Sequence, residues 1–174
     1  PPGGGGPLGG GTKYSSRVTP PFMLEEACHR NFAFTMFHAG NMPQLSCKWA
    51  GIKELGGGLW EITLEIENAR IIPTRLEIAA RNKIGLPDLL TIEGPRVVLS
   101  GVVSDRFDHS MRPTDHRPDR LLVEEGIPGE GHGTFRFLVE GSAGDEVTVS
   151  YQAEKARDIR FGFTLEEIEL TPAD

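Results

Sequence analysis

The sequence predicts a mostly β protein: an antiparallel β-sandwich of the immunoglobulin or fibronectin type, preceded by one amphipathic helix and a Gly/Pro-rich arm. Three observations carry this expectation. From residue 44 onward apolar and polar residues alternate with period two, the signature of half-buried strands. Turn signals recur at intervals near ten residues, the spacing of a sandwich, and no strand–helix–strand alternation or internal repeat is present. Residues 19–43 carry the one long helical period. The 174 residues thus divide into an extended arm (1–18), a helix (19–43) and a sandwich domain (44–174).

Residues 1–11 are Gly and Pro apart from Leu8, with no charge and no core pattern. Such a stretch is a structureless arm; the sharper alternative is an extended arm packed on a neighbouring subunit. In the helix, Thr19 is placed as N-cap and Pro20 at the first helical position, where a missing N–H costs nothing. Glu25 and Glu26 suit the positive end of the helix dipole. Leu24, Cys28, Phe32, Thr35, Met36 and Ala39 form an apolar stripe that Phe34 and Phe37 widen, and Gly40 followed by Pro43 stops the helix. That stripe needs a partner surface. Cys28 is expected as a buried free thiol on it, with a Cys28–Cys47 disulfide as the lesser alternative. The two cysteines lack the spacing of a metal site.

Residues 44–55 alternate, Gly56–Gly58 turn the chain, and "LWEITLEIEN" (59–68) is the strongest strand: Trp60, Ile62, Leu64 and Ile66 face a core, Glu61, Thr63, Glu65 and Glu67 face away. "ARIIPT" is a turn or bulge, and "RLEIAARNK" (75–83) fits a short helix or a strand equally. Strands follow at 89–94 and 96–104, a polar loop at 104–120, and further strands at 120–129, 133–141, 145–155 and 159–170, seven or eight in all.

Composition limits the function. A formal net charge of −7 opposes general affinity for nucleic acid or anionic membranes. No apolar run is long enough to span a bilayer, and no signal peptide opens the chain. The densest polar cluster, residues 104–120, holds Asp105, Asp108, His109, Asp115, His116 and Asp119 among four arginines. It is read as a self-neutralising solvated loop, ahead of partner contact and ahead of a His/Asp metal site. "GIPGEGHGTF" (126–135) precedes a strand and not a helix, so it is no phosphate cradle, and His132 is placed in a turn. Trp60 is assigned to the core, while Trp49 stays open between core and carbohydrate platform. No catalytic, cofactor-binding or metal-ligating residue is assigned.

Two stretches, "RVTPPFMLEEACHRNFAFTMFHAGNMPQL" and "LGGGLWEITLEIENARIIPT", resemble the carboxy-terminal part of bacterial zinc metallocarboxypeptidase-like proteins. The likeness rests on Pro20, Pro21, Leu24, Glu25, Glu26 and Asn31 with Pro43 and Leu45. In the sandwich it rests on Leu55 to Trp60, then Asn68, Ile72, Pro73 and Thr74, and it covers roughly residues 12–103. It implies that the helix is the last of a catalytic domain and the sandwich its appendage. It also implies zinc only in a missing catalytic domain, and a secreted or cell-surface location. The enzyme's own signature is absent: none of His29, His38, His109, His116 or His132 has Glu three residues on, and no acidic residue lies between Pro1 and Leu24. The chain is therefore expected to be non-catalytic, an accessory domain for docking, stabilisation or presentation. Its expected partner is a peptidase domain, or other copies of itself through helix and arm. Rival readings are a self-assembling structural protein and an adhesion-type sugar- or peptide-binding module, the latter resting on a weaker likeness of "WEITLEIEN" to fibronectin-like strands.

Overall fold

The computed structural model describes residues 19–104, 110–114 and 116–166. The chain forms two compact units that part between Gly40 and Asn41.

In the first unit a 3-10 turn, Pro21–Met23, leads into helix α1, Leu24–Gly40. The helix starts later than the sequence suggests. Thr19 is not its cap: Pro20 flanks the turn with φ −52° and ψ 143°, and makes no side-chain cap. The reason is Pro21, whose ring excludes the helical region for the residue before it. Pro21 takes the early helical position instead. No residue of α1 is buried. Cys28 is therefore exposed, against the expected buried thiol, and it is not disulfide-bonded to Cys47.

The second unit holds nine strands among the described residues: β1 Leu45–Gly56, β2 Leu59–Asn68, β3 Asp88–Glu93, β4 Arg96–Val103, β5 Met111–Thr114, β6 Arg120–Val123, β7 Gly131–Glu140, β8 Glu146–Gln152 and β9 Ile159–Thr164. One sheet has the order β1-β2-β7-β4-β5, the other β6-β3-β8-β9. Every pairing is antiparallel, so the fold is the sandwich that the alternation predicts. β1 turns into β2 through Gly56, Gly57 and Gly58, all at positive φ (92°, 66° and 80°), a run only glycine adopts freely. The core is where the inner faces meet. Ile62, Leu64, Phe135 and Phe137 from the first sheet are fully buried, as are Leu90, Val149 and Tyr151 from the second. The Phe135 and Tyr151 rings cross between the sheets, 6.2 Å apart and tilted by 47°. Trp60 is buried as expected, and its indole N–H donates to Gly141 O at 3.1 Å.

Three local readings change. The ambiguous stretch 75–83 contains a short helix, α2, Glu77–Arg81. The polar loop at 104–120 contains β5, a strand at the sheet edge, where Pro113 needs no ladder hydrogen bond. His132 lies in β7 opposite Glu67, and not in a turn. β1 also carries a bulge between Cys47 and Trp49, so its inward parity resets and Ala50 and Ile52 point with Leu45.

Candidate functional site

At the end of the sandwich where β3 begins, two connections lock together: the loop 69–76 after β2, and the loop 124–130 between β6 and β7. Asn68, the last residue of β2, is fully buried and directs the first. Its Oδ1 accepts from the backbone N–H of Gln44 (3.1 Å) and Arg70 (3.2 Å). Its Nδ2 donates to the carbonyls of Ile72 (2.8 Å) and Pro128 (3.2 Å). The backbones then meet directly, with Thr74 N donating to Ile127 O and Glu130 N to Arg70 O. Gly129 sits so close that an added Cβ would lie 1.8 Å from Ile71 O. This is why "EN…IPT" has these residue types: a side-chain amide can satisfy four backbone groups that a sharp loop leaves unpaired.

Behind this clasp lies a buried polar cluster. Thr74 Oγ1 accepts from Ile127 N at 2.7 Å and donates to Ile127 O at 3.4 Å, and its hydroxyl favours the ionised form of the neighbouring Asp88 carboxyl. Asp88 is only 2% exposed and accepts from the Tyr151 hydroxyl at 2.9 Å. The geometry follows from register: Leu90 faces Tyr151 across β3 and β8, and Asp88 is the inward residue two positions before Leu90. Burial pushes the Asp88 carboxyl above the usual carboxylate range; the bonds from Thr74 and Tyr151 and the nearby Arg75 charge oppose this without cancelling it. Burial and the neighbouring Asp88 raise the Tyr151 hydroxyl, which stays protonated and a donor at every physiological pH.

Arg75 completes the cluster. It is 6% exposed, and its Nη2 donates to the carbonyls of Ile84 (3.2 Å) and Ala79 (3.5 Å), which ties the end of α2 to the loop. Its Nε and Nη1 are buried with no hydrogen-bond partner. Arg75 also lines a cavity of about 760 Å³ between α2 and loop 124–130, whose other walls include Pro73, Arg81, Glu124 and Glu125.

The residues singled out in the sequence fall elsewhere. Asp105, Asp108, His109 and Asp115 lie outside the described residues. His116 and Asp119 are exposed, and no group of three metal-ligating side chains occurs among the described residues. Arg75, Asp88 and Tyr151 were not anticipated. One signal was present: Tyr151 continues the inward series Val147, Val149, and a buried tyrosine hydroxyl needs a partner.

Fold and clasp together define a mostly β sandwich domain with a buried polar lock at one end. The chain belongs to the family described as Domain of unknown function (DUF8731), whose model matches residues 44–163. No curated protein matches it. Among solved structures it is similar to the apo PCuAC domain from PmoF1, at 14% identity and TM-score 0.37 over 73% of this chain and 97% of that one. It is also similar to a conjugate transposon protein from Bacteroides vulgatus, at 14% identity and TM-score 0.33 over 77% and 93%. A third likeness is to the ASH/PapD-like domain of human CEP192, at 12% identity and TM-score 0.31 over 75% and 88%.

These findings overturn the resemblance to zinc metallocarboxypeptidase-like proteins. The family model that matches residues 44–163 is that of Domain of unknown function (DUF8731), not of a metallocarboxypeptidase. The physical reason lies in the residues that suggested it. Gly56 to Trp60, Asn68 and Thr74 form a glycine turn, a core strand and a loop clasp, which a sandwich needs whatever precedes it. The zinc of a missing domain, the peptidase partner and the cell-surface location rested on that likeness and have no other support.

Proposed function

We propose that this chain is a non-catalytic interaction module that associates with further copies of itself through α1. The observation that supports this reading is the surface of the helical unit. Phe22 is 86% exposed, and Phe32, Phe34 and Met36 each expose more than half of their surface. These side chains do not share one stripe, so a single flat partner would leave some of them in water. A helix apolar on several sides is stable only when surrounded. Four such side chains leave apolar area on the order of 500 Å² in water, spread around the helix and not gathered in one patch. Equivalent helices from several copies cover one another with the same chemistry.

The test is light scattering on the full-length chain after size exclusion, at micromolar concentration. The expected species is an oligomer, and Phe22→Ser with Phe32→Ser converts it to monomer without changing the sandwich's unfolding midpoint. A wild-type chain that stays monomeric at all concentrations excludes the reading.

A further inference from the structure

We propose that the cavity beside Arg75 is a binding site for a zwitterionic ligand: an amino acid or peptide end with a carboxylate and a cationic side chain. This is independent of self-association through α1. A guanidinium carries five N–H donors, and burying it is unfavourable unless they are met. Here only Nη2 is used, by two backbone carbonyls, while Nε and Nη1 lack any acceptor. The nearest acidic group does not supply one: Asp88 is engaged by Tyr151 and Thr74, and among the described residues Arg75 has no ion-pair partner. A planar carboxylate fits such a fork with two parallel hydrogen bonds. Nε and Nη1 are buried, so a ligand carboxylate reaches them only if the guanidinium turns into the cavity that it lines, exchanging the Nη2 bonds to Ala79 O and Ile84 O for bonds to the ligand.

The rest of the lining selects against a simple anion. Arg81 is neutralised by its ion pair with Glu77. Glu124 is exposed without a partner among the described residues, and Glu125 is held only loosely, 4.0 Å from an exposed Arg112. One unsatisfied cation at the base and carboxylates at the rim form a dipolar site. A phosphate would be repelled by Glu124 and Glu125, whereas a ligand with its carboxylate inward and its cation outward meets both ends. The volume, about 760 Å³, accommodates a long side chain.

Calorimetric titration of the full chain tests this with three probes: L-arginine, agmatine (the same cation without the carboxylate) and inorganic phosphate. L-arginine is expected to bind in about the millimolar range, and agmatine about tenfold or more weaker, the loss of a charge-assisted bond. Phosphate is expected to give no heat. Glu124→Gln with Glu125→Gln, both at exposed positions, weakens L-arginine several-fold and keeps the fold. Three results would overturn the proposal. No heat with L-arginine means that an internal water satisfies Arg75. Equal binding of agmatine means that the glutamates act alone, and tighter phosphate means a plain anion site.

Discussion

Asp88 concentrates the residue-scale chemistry. Its carboxyl is buried and accepts from the Tyr151 hydroxyl, so removing it orphans that buried donor. Asp88→Ala is expected to lower stability by about 1–3 kcal/mol, read from denaturant unfolding. The pH dependence has a definite sign. Asp88's folded pKa lies above its ordinary 3.8, so between the two the folded chain holds the proton more tightly. Its contribution to stability is full below the ordinary value and declines as pH rises through the folded pKa. Asp88→Asn cannot titrate, so the difference in unfolding free energy between wild type and variant should change across that window and level off above it. A difference constant with pH would show that Asp88 does not titrate there. Part of this was legible: the inward parity of Tyr151 calls for a polar partner. That the partner is Asp88 was not, because 63 residues separate them and only the pairing of β3 with β8 brings them together.

At the scale of elements, periodicity and glycines carried most of the reading, and departures came where one residue resets the pattern. The bulge after Cys47 shifts the parity of β1, and Pro21 moves the start of the helix past Thr19. Pro113 hid β5, since a proline is tolerated there only because the strand is at an edge. The clasp between loops 69–76 and 124–130 could not be read at all, being made of contacts between distant turns. Gly129 gives its test. The residue is not at a positive φ, so the barrier to a side chain is the Ile71 carbonyl and not strain at its own backbone. Gly129→Ala should cost about 1–3 kcal/mol by overpacking, while Gly144→Ala, at φ +90° with open space around it, reports backbone strain alone. Equal losses in thermal melts of the two variants would argue against a tight clasp.

At the scale of the whole molecule, every buried apolar residue among those described lies between Pro43 and Leu165, so the sandwich has a complete core of its own. A chain of residues 41–174 should unfold in one cooperative transition with a midpoint within about 3 °C of the full chain, a shift worth under about 1 kcal/mol at this size. Differential scanning calorimetry decides it; a broad transition or a large drop would mean that the helical unit supports the core. The sequence by itself determined that this is an antiparallel sandwich behind a helix, because period-two alternation and glycine turns are local properties written into neighbouring residues. It also led to a wrong family, because turn and core-strand residues express what any sandwich requires. Only the tertiary structure decided that Asn68, Thr74, Asp88 and Tyr151 form one buried lock, and that Arg75 is enclosed beside a cavity with donors to spare. Those are properties of register and of loop-on-loop contact, which join residues far apart in the chain and leave no periodic trace along it.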